Sequence, residues 1–143
     1  MFLITTFLYF FDLMNIMRRD VENWWSLANE DFANAKECLK IKKYYLVAFL
    51  VQQASEKGLK ALFIREKNDF PDKTHSLVYL GKELNLPNDL MSNLRKINPD
   101  FIYTRYPDLD GVPPYLAYDE AVAKERLSQG EEILKWISEK IKK

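Results

Sequence analysis

YYLVAFLVQQASEKGLKALFIREK, residues 44–67, contains no proline and is built mostly from good helix formers. Leu46, Val47, Phe49, Leu50, Val51, Leu59, Leu62, Phe63 and Ile64 spread round most of its helical circumference. A helix that is apolar on most sides is packed on most sides, so this segment is expected at the centre of a helical domain. Its polar residues are therefore informative. Gln53, Glu56, Lys57 and Lys60 fall at i, i+3, i+4 and i+7, within an arc of about 100°. Such a narrow polar stripe has two readings. Glu56 and Lys60 form an i,i+4 ion pair on a partly exposed edge, or Gln53, Lys57 and Lys60 line a groove for a phosphate or nucleotide, with Glu56 among them.

The flanking sequence supplies the neighbours. Upstream, Asp20 is a plausible N-cap, and Val21, Trp24, Trp25, Ala28, Phe32, Ala35 and Leu39 recur at steps of three and four to about residue 41. Lys40, Lys42 and Lys43 suit its last turn and the connection. Downstream, Asn68-Asp69-Phe70-Pro71-Asp72 breaks the central helix, and Thr74 can cap a short helix over 75–84 with Leu77, Leu80 and Leu84 inward. Asn88 caps the next, which runs to about Tyr103 and is distorted or divided at Asn98-Pro99. Residues 104–118, TRYPDLDGVPPYLAY, read as a long loop, and a final helix spans about Asp119 to Lys142. No alternating strand pattern competes. The expected fold is all-α, an antiparallel up-and-down bundle of about five helices.

Composition narrows the function. The chain has 143 residues, with 21 Lys+Arg against 21 Asp+Glu, one His and one Cys. Zero net charge excludes a broad nucleic-acid coat, which needs many phosphate contacts. The lone Cys38 excludes an internal disulfide framework and suits a reducing cytoplasm. Residues 1–17, MFLITTFLYFFDLMNIM, form an apolar extension with one charge, Asp12, leaving 21 positive and 20 negative charges in 18–143. It is slightly short for a bilayer and interrupted by Thr5, Thr6, Asp12 and Asn15, so a membrane role is not expected. An over-extended start, with Met17 as the conventional beginning, is the favoured reading; a helix packed on the body or a partner is the next. The functional domain is accordingly placed at 18–143.

No glycine-rich phosphate loop, metal-ligand cluster or Ser/His/Asp signature is present, and no cofactor or metal is expected. Asp108-Leu109-Asp110-Gly111 has the start of a calcium loop, but Val112 and the missing spacing argue against it. His75 beside Thr74 reads as a cap-region or packing residue before it reads as a catalytic base. Arg105-Tyr106-Pro107-Asp108 is more distinctive. Arginine can hold phosphate bidentately, and Tyr103 and Tyr106 can stack on bases. The competing reading is an Arg105–Asp108 pair that pins the loop to the bundle. The candidate binding residues are therefore Gln53, Glu56, Lys57, Lys60, Tyr103, Arg105, Tyr106 and Asp108, with His75 and Arg105 the pair for any catalysis.

Over residues 20–141 the chain resembles the HEPN domain family. The resemblance rests on Trp25 with Ala28-x-x-Asp31-x-x-x-Ala35, on Val51-Gln52-Gln53-Ala54-x-Glu56-Lys57-x-Leu59-Lys60-Ala61, on Thr74-His75-x-Leu77 and on Arg105-Tyr106-Pro107-Asp108. It implies a five-helix bundle that usually dimerises and is linked with nucleotide or RNA binding. It also implies a minimal nucleotidyltransferase partner, with this chain in the toxin position of a toxin–antitoxin pair. Catalytic members carry an arginine, four to six residues, then a histidine. Here the only histidine is His75, and the nearest preceding arginine, Arg65, lies ten positions earlier. The expectation is a homodimeric, non-catalytic or weakly active HEPN protein. The alternatives are a divergent metal-independent ribonuclease using Arg105 and His75, and a dimeric interaction module without a ligand.

Overall fold

A computed structural model describes residues 2–109 and 111–142. Asp110 of the calcium-loop reading lies outside these residues. All regular structure among the described residues is helical: α1 Phe2–Lys40, α2 Tyr44–Lys67, α3 Leu77–Glu83, α4 Asn88–Ile97, α5 Asp100–Tyr103, α6 Pro114–Ala117 and α7 Glu120–Ile141. Five of these carry the bundle, while α5 and α6 are single turns. No helix among the described residues is long and apolar enough to cross a membrane.

Asp20 does not begin a helix. Residues 2–40 contain neither glycine nor proline, so nothing interrupts propagation and α1 runs through Asp20 for 39 residues. Its amino-terminal turns project past the bundle: Leu3, Phe7, Tyr9 and Phe10 are more than half exposed, and Met17 is the first buried side chain among those described. α1 closes in a Schellman turn. Lys43 N–H donates to Cys38 O at 2.9 Å and Lys42 N–H to Leu39 O at 3.0 Å, with Lys42 left-handed at φ 60°.

α2 is the central helix, in contact with every other helix of the bundle. Val47, Val51, Leu59, Leu62 and Ile64 are buried on its several sides. The crossing with α7 is close because glycines lie in it. A Cβ on Gly130 would stand 2.7 Å from Val51 Cγ1, and one on Gly58 would stand 3.1 Å from both Ile137 Cδ1 and Leu134 Cδ2.

Two expected caps are different residues. Ser76, not Thr74, caps α3 by accepting from Tyr79 N–H at 3.2 Å; Thr74 Oγ1 instead accepts from Ser76 N–H. The residue before α4 is Pro87, and Asn88 makes no capping bond because it already lies inside the helix. The helix expected over 88–103 divides at Asn98-Pro99 into α4 and α5. Asp119 does cap α7, accepting from Val122 N–H at 2.9 Å.

Candidate functional site

Tyr45, Phe49, Gln52, Glu56 and Lys60 repeat at steps of four, three, four and four, which places them on one face of α2. Glu56 is its organising residue. Although only 4% exposed, its carboxylate has three partners: Lys60 Nζ at 3.1 Å, His75 Nδ1 at 3.0 Å and Gln52 Nε2 at 3.3 Å. A buried carboxylate needs such donors to offset its desolvation. Since a carboxylate only accepts, the Nδ1 of His75 carries a proton and donates, which in the neutral ring leaves Nε2 as an acceptor. The Lys60 ammonium also lies 5.5 Å from the Trp24 ring centroid. The expected i,i+4 pair is therefore real, but it is buried, not edge-exposed.

The opposite wall comes from the segment around α5. His75 stacks on Phe101 with centroids 4.1 Å apart and planes 17° from parallel. The Arg105 guanidinium carbon lies 4.2 Å from the same centroid and 5.2 Å from that of Phe49. His75 and Arg105, far apart in sequence, are thus brought against one ring. Asn98 Oδ1 holds the register by accepting from Leu77 N–H at 2.8 Å, tying the α3 entry to the α4–α5 junction. At the start of α5, buried Asp100 accepts from Arg126 Nε at 2.5 Å and from Tyr118 OH at 2.7 Å. Burial raises the Asp100 carboxyl above its ordinary value, while Arg126 and Tyr118 pull it down.

Arg105 is exposed, and among the described residues no carboxylate lies within ion-pair distance of it. The loop is held by arginine against aromatic faces, not by a pair with Asp108. Such contacts leave the guanidinium donors able to meet an incoming anion. Tyr103 and Tyr106 are 39% and 53% exposed beside it, and Asp108 is exposed.

The remaining stripe residues divide. Gln53 donates to Gln52 Oε1 at 2.7 Å and is half-buried. Lys57 is taken up by α1, where it pairs with buried Asp31. Arg65 donates to Ile141 O and has no contact with His75 among the described residues. The Cys38 thiol is pushed up by burial and by Glu37, which disfavours its nucleophilic thiolate. Among the described residues no group of three or more His, Cys, Asp or Glu side chains could hold a metal ion.

Phe49, Phe101, Asn98, Asp100 and Arg126 escape sequence reasoning. The phenylalanines have the spacing of ordinary core residues, and the Asp100–Arg126 pair joins segments 26 positions apart. Another groove, about 790 Å³, lies elsewhere, between the amino-terminal half of α1 and the ends of α2 and α7. Its walls include Phe11, Met14, Trp25, Ile64 and Ile141, and it contains none of the candidate residues.

Comparison with known proteins agrees with this architecture. The HEPN domain family matches residues 21–141. TT1696 from Thermus thermophilus is 27% identical, with 84% of this chain and 97% of that one covered and a TM-score of 0.77. ST0689, an archaeal HEPN homologue, is 30% identical over 85% of this chain and 97% of its own, with a TM-score of 0.74. A HEPN domain protein from Thermotoga maritima, 24% identical over 82% and 95% of the two chains with a TM-score of 0.62, shares the fold. No curated protein matches the chain.

Proposed function

The chain belongs to the HEPN domain family, and on that premise we propose that it binds a nucleotide or short RNA segment between α2 and residues 104–118. The observation that carries this reading is Arg105, an exposed guanidinium set on Phe101 and Phe49 without a carboxylate partner among the described residues. Arg105 takes the phosphate, and Tyr103 and Tyr106 offer rings for bases. His75 presents its exposed edge to the same ligand, with Gln53 and Asp108 as flanking hydrogen-bonding groups. Lys60 contributes positive potential, already partly balanced by Glu56. Glu56 and Lys57 support the wall through their ion pairs with Lys60 and Asp31.

The same proposal makes the protein a homodimer acting with a minimal nucleotidyltransferase in a toxin–antitoxin-like pair, its functional domain being residues 18–143 and residues 1–17 an extension. Equilibrium titration of ATP, GTP and short RNAs against wild type and Arg105→Ala tests the binding claim. Arg105→Ala should weaken binding at least about tenfold, the scale of a lost charge-assisted contact. Equal binding by both proteins, or none by wild type, would reject it.

A second reading, a divergent ribonuclease, is favoured by one observation: His75 and Arg105 share the Phe101 ring. The histidine would assist proton transfer at a ribose hydroxyl and the arginine would stabilise phosphate charge. RNA incubated with protein and EDTA should then be cleaved, and His75→Ala should abolish cleavage. Cleavage that survives the substitution removes His75 as the catalyst.

A further inference from the structure

At the turn joining α1 to α2 lies a second recess, about 480 Å³, walled by Lys42, Lys43, Tyr44, Tyr45, Leu46 and Tyr115. We propose that it is an additional subsite for single-stranded RNA, extending the Arg105 groove toward the amino-terminal end of α2. It rests on the reading of that groove as a nucleotide site and adds the substrate class, a strand longer than one nucleotide.

The wall chemistry carries the argument. Three phenol rings and two ammonium groups meet there, and no acidic side chain lines the recess. Lys42 and Lys43 are exposed, and among the described residues neither has a carboxylate within ion-pair distance, whereas neighbouring Lys40 is paired with Glu37 at 2.9 Å. Tyr44 and Tyr45 are half-buried, so their rings are already partly ordered, and Tyr115 on α6 is 66% exposed opposite them. The lysines spring from a hydrogen-bonded turn, not a mobile loop. Rings for bases beside cations for phosphates are what a sequence-tolerant single-strand site requires.

Position sets the recess one helical turn along α2 from the first site. Tyr45 and Phe49 are four residues apart on one face of α2, and Arg105 lies over Phe49. Tyr115 and Arg105 belong to the same 104–118 segment. A strand with one phosphate at Arg105 and running along this face of α2 toward Tyr45 brings its following nucleotides to the recess.

Fluorescence anisotropy with labelled octauridylate, with ATP titrated separately, tests this on wild type, Lys42→Gln/Lys43→Gln, Tyr115→Ala and Arg105→Ala. The double lysine variant should bind octauridylate about tenfold more weakly and lower the salt slope by about 1.4, at about 0.7 per phosphate released. Tyr115→Ala should weaken octauridylate about fivefold or more through lost stacking. Both should bind ATP as wild type does, and Arg105→Ala should lose both ligands. Unchanged octauridylate affinity and salt slope in the recess variants, with Arg105→Ala impaired, would overturn the recess and leave the Arg105 site standing. Loss in the recess variants with Arg105→Ala unimpaired would support the recess and reject the Arg105 site. No octauridylate binding by wild type would overturn both.

Discussion

At the residue scale, charge buried with its partner is the recurring device. Lys57 and Asp31 have side chains only 18% and 12% exposed, so removing one partner leaves the other desolvated. Lys57→Ala should lower unfolding free energy by about 2 kcal/mol, while Asp31→Leu/Lys57→Met should recover most of it. Chemical denaturation of the three proteins decides this; equal stability of Lys57→Ala and wild type would show that the pair contributes nothing. Asp100 predicts a pH dependence. Its carboxyl is raised by burial above the ordinary 3.8, so between 3.8 and the raised value the folded chain holds a proton that the unfolded chain has released. Its contribution is then complete below 3.8 and declines as pH rises through the raised value. The stability of wild type relative to Asp100→Asn should therefore fall as pH rises above 3.8. A rise instead would mean that the Arg126 pair outweighs burial.

At the element scale, α2 was the most legible part of the chain. Its all-round apolar pattern identified the centre of the bundle, and Asp119 marked the start of α7. Propensity failed where a neighbouring residue competed for the same task. Thr74 and Ser76 both cap well, and only the path of the chain chooses between them. Asp20 likewise has capping chemistry, but an uninterrupted helix before it leaves no end to cap. The glycines at the α2–α7 crossing predict a further result. Gly130→Ala gains helix propensity of under about 1 kcal/mol but drives a methyl into branched Val51, which costs about 1–3 kcal/mol. The variant should be less stable by about 1 kcal/mol in urea unfolding; an unchanged or higher midpoint would mean that the helices separate freely.

At the scale of the whole molecule, the candidate site takes its shape because α2, the α3 entry and the α5–Arg105 segment converge on Phe101 and Glu56. Sequence carried Glu56, Lys60, Arg105 and the tyrosines, since each is polar or aromatic in an unusual place. It could not carry Phe101 as the common ring, because a phenylalanine in α5 looks like any core residue until His75 and Arg105 are seen against it. The projecting half of α1 is peripheral to that convergence. Deleting residues 1–16 should move the thermal midpoint by less than about 5 °C, because nearly all of its side chains are exposed. A larger fall would assign the extension to the folded domain. Site location can be read directly by photocrosslinking 4-thiouridine RNA to the intact protein and mapping the adducts by peptide mass spectrometry. The predicted adducts include residues 101–108, centred on Tyr103 and Tyr106, and those adducts disappear when ATP is added in excess. Adducts confined to other segments, or none at saturating RNA, would contradict the nucleotide-binding groove.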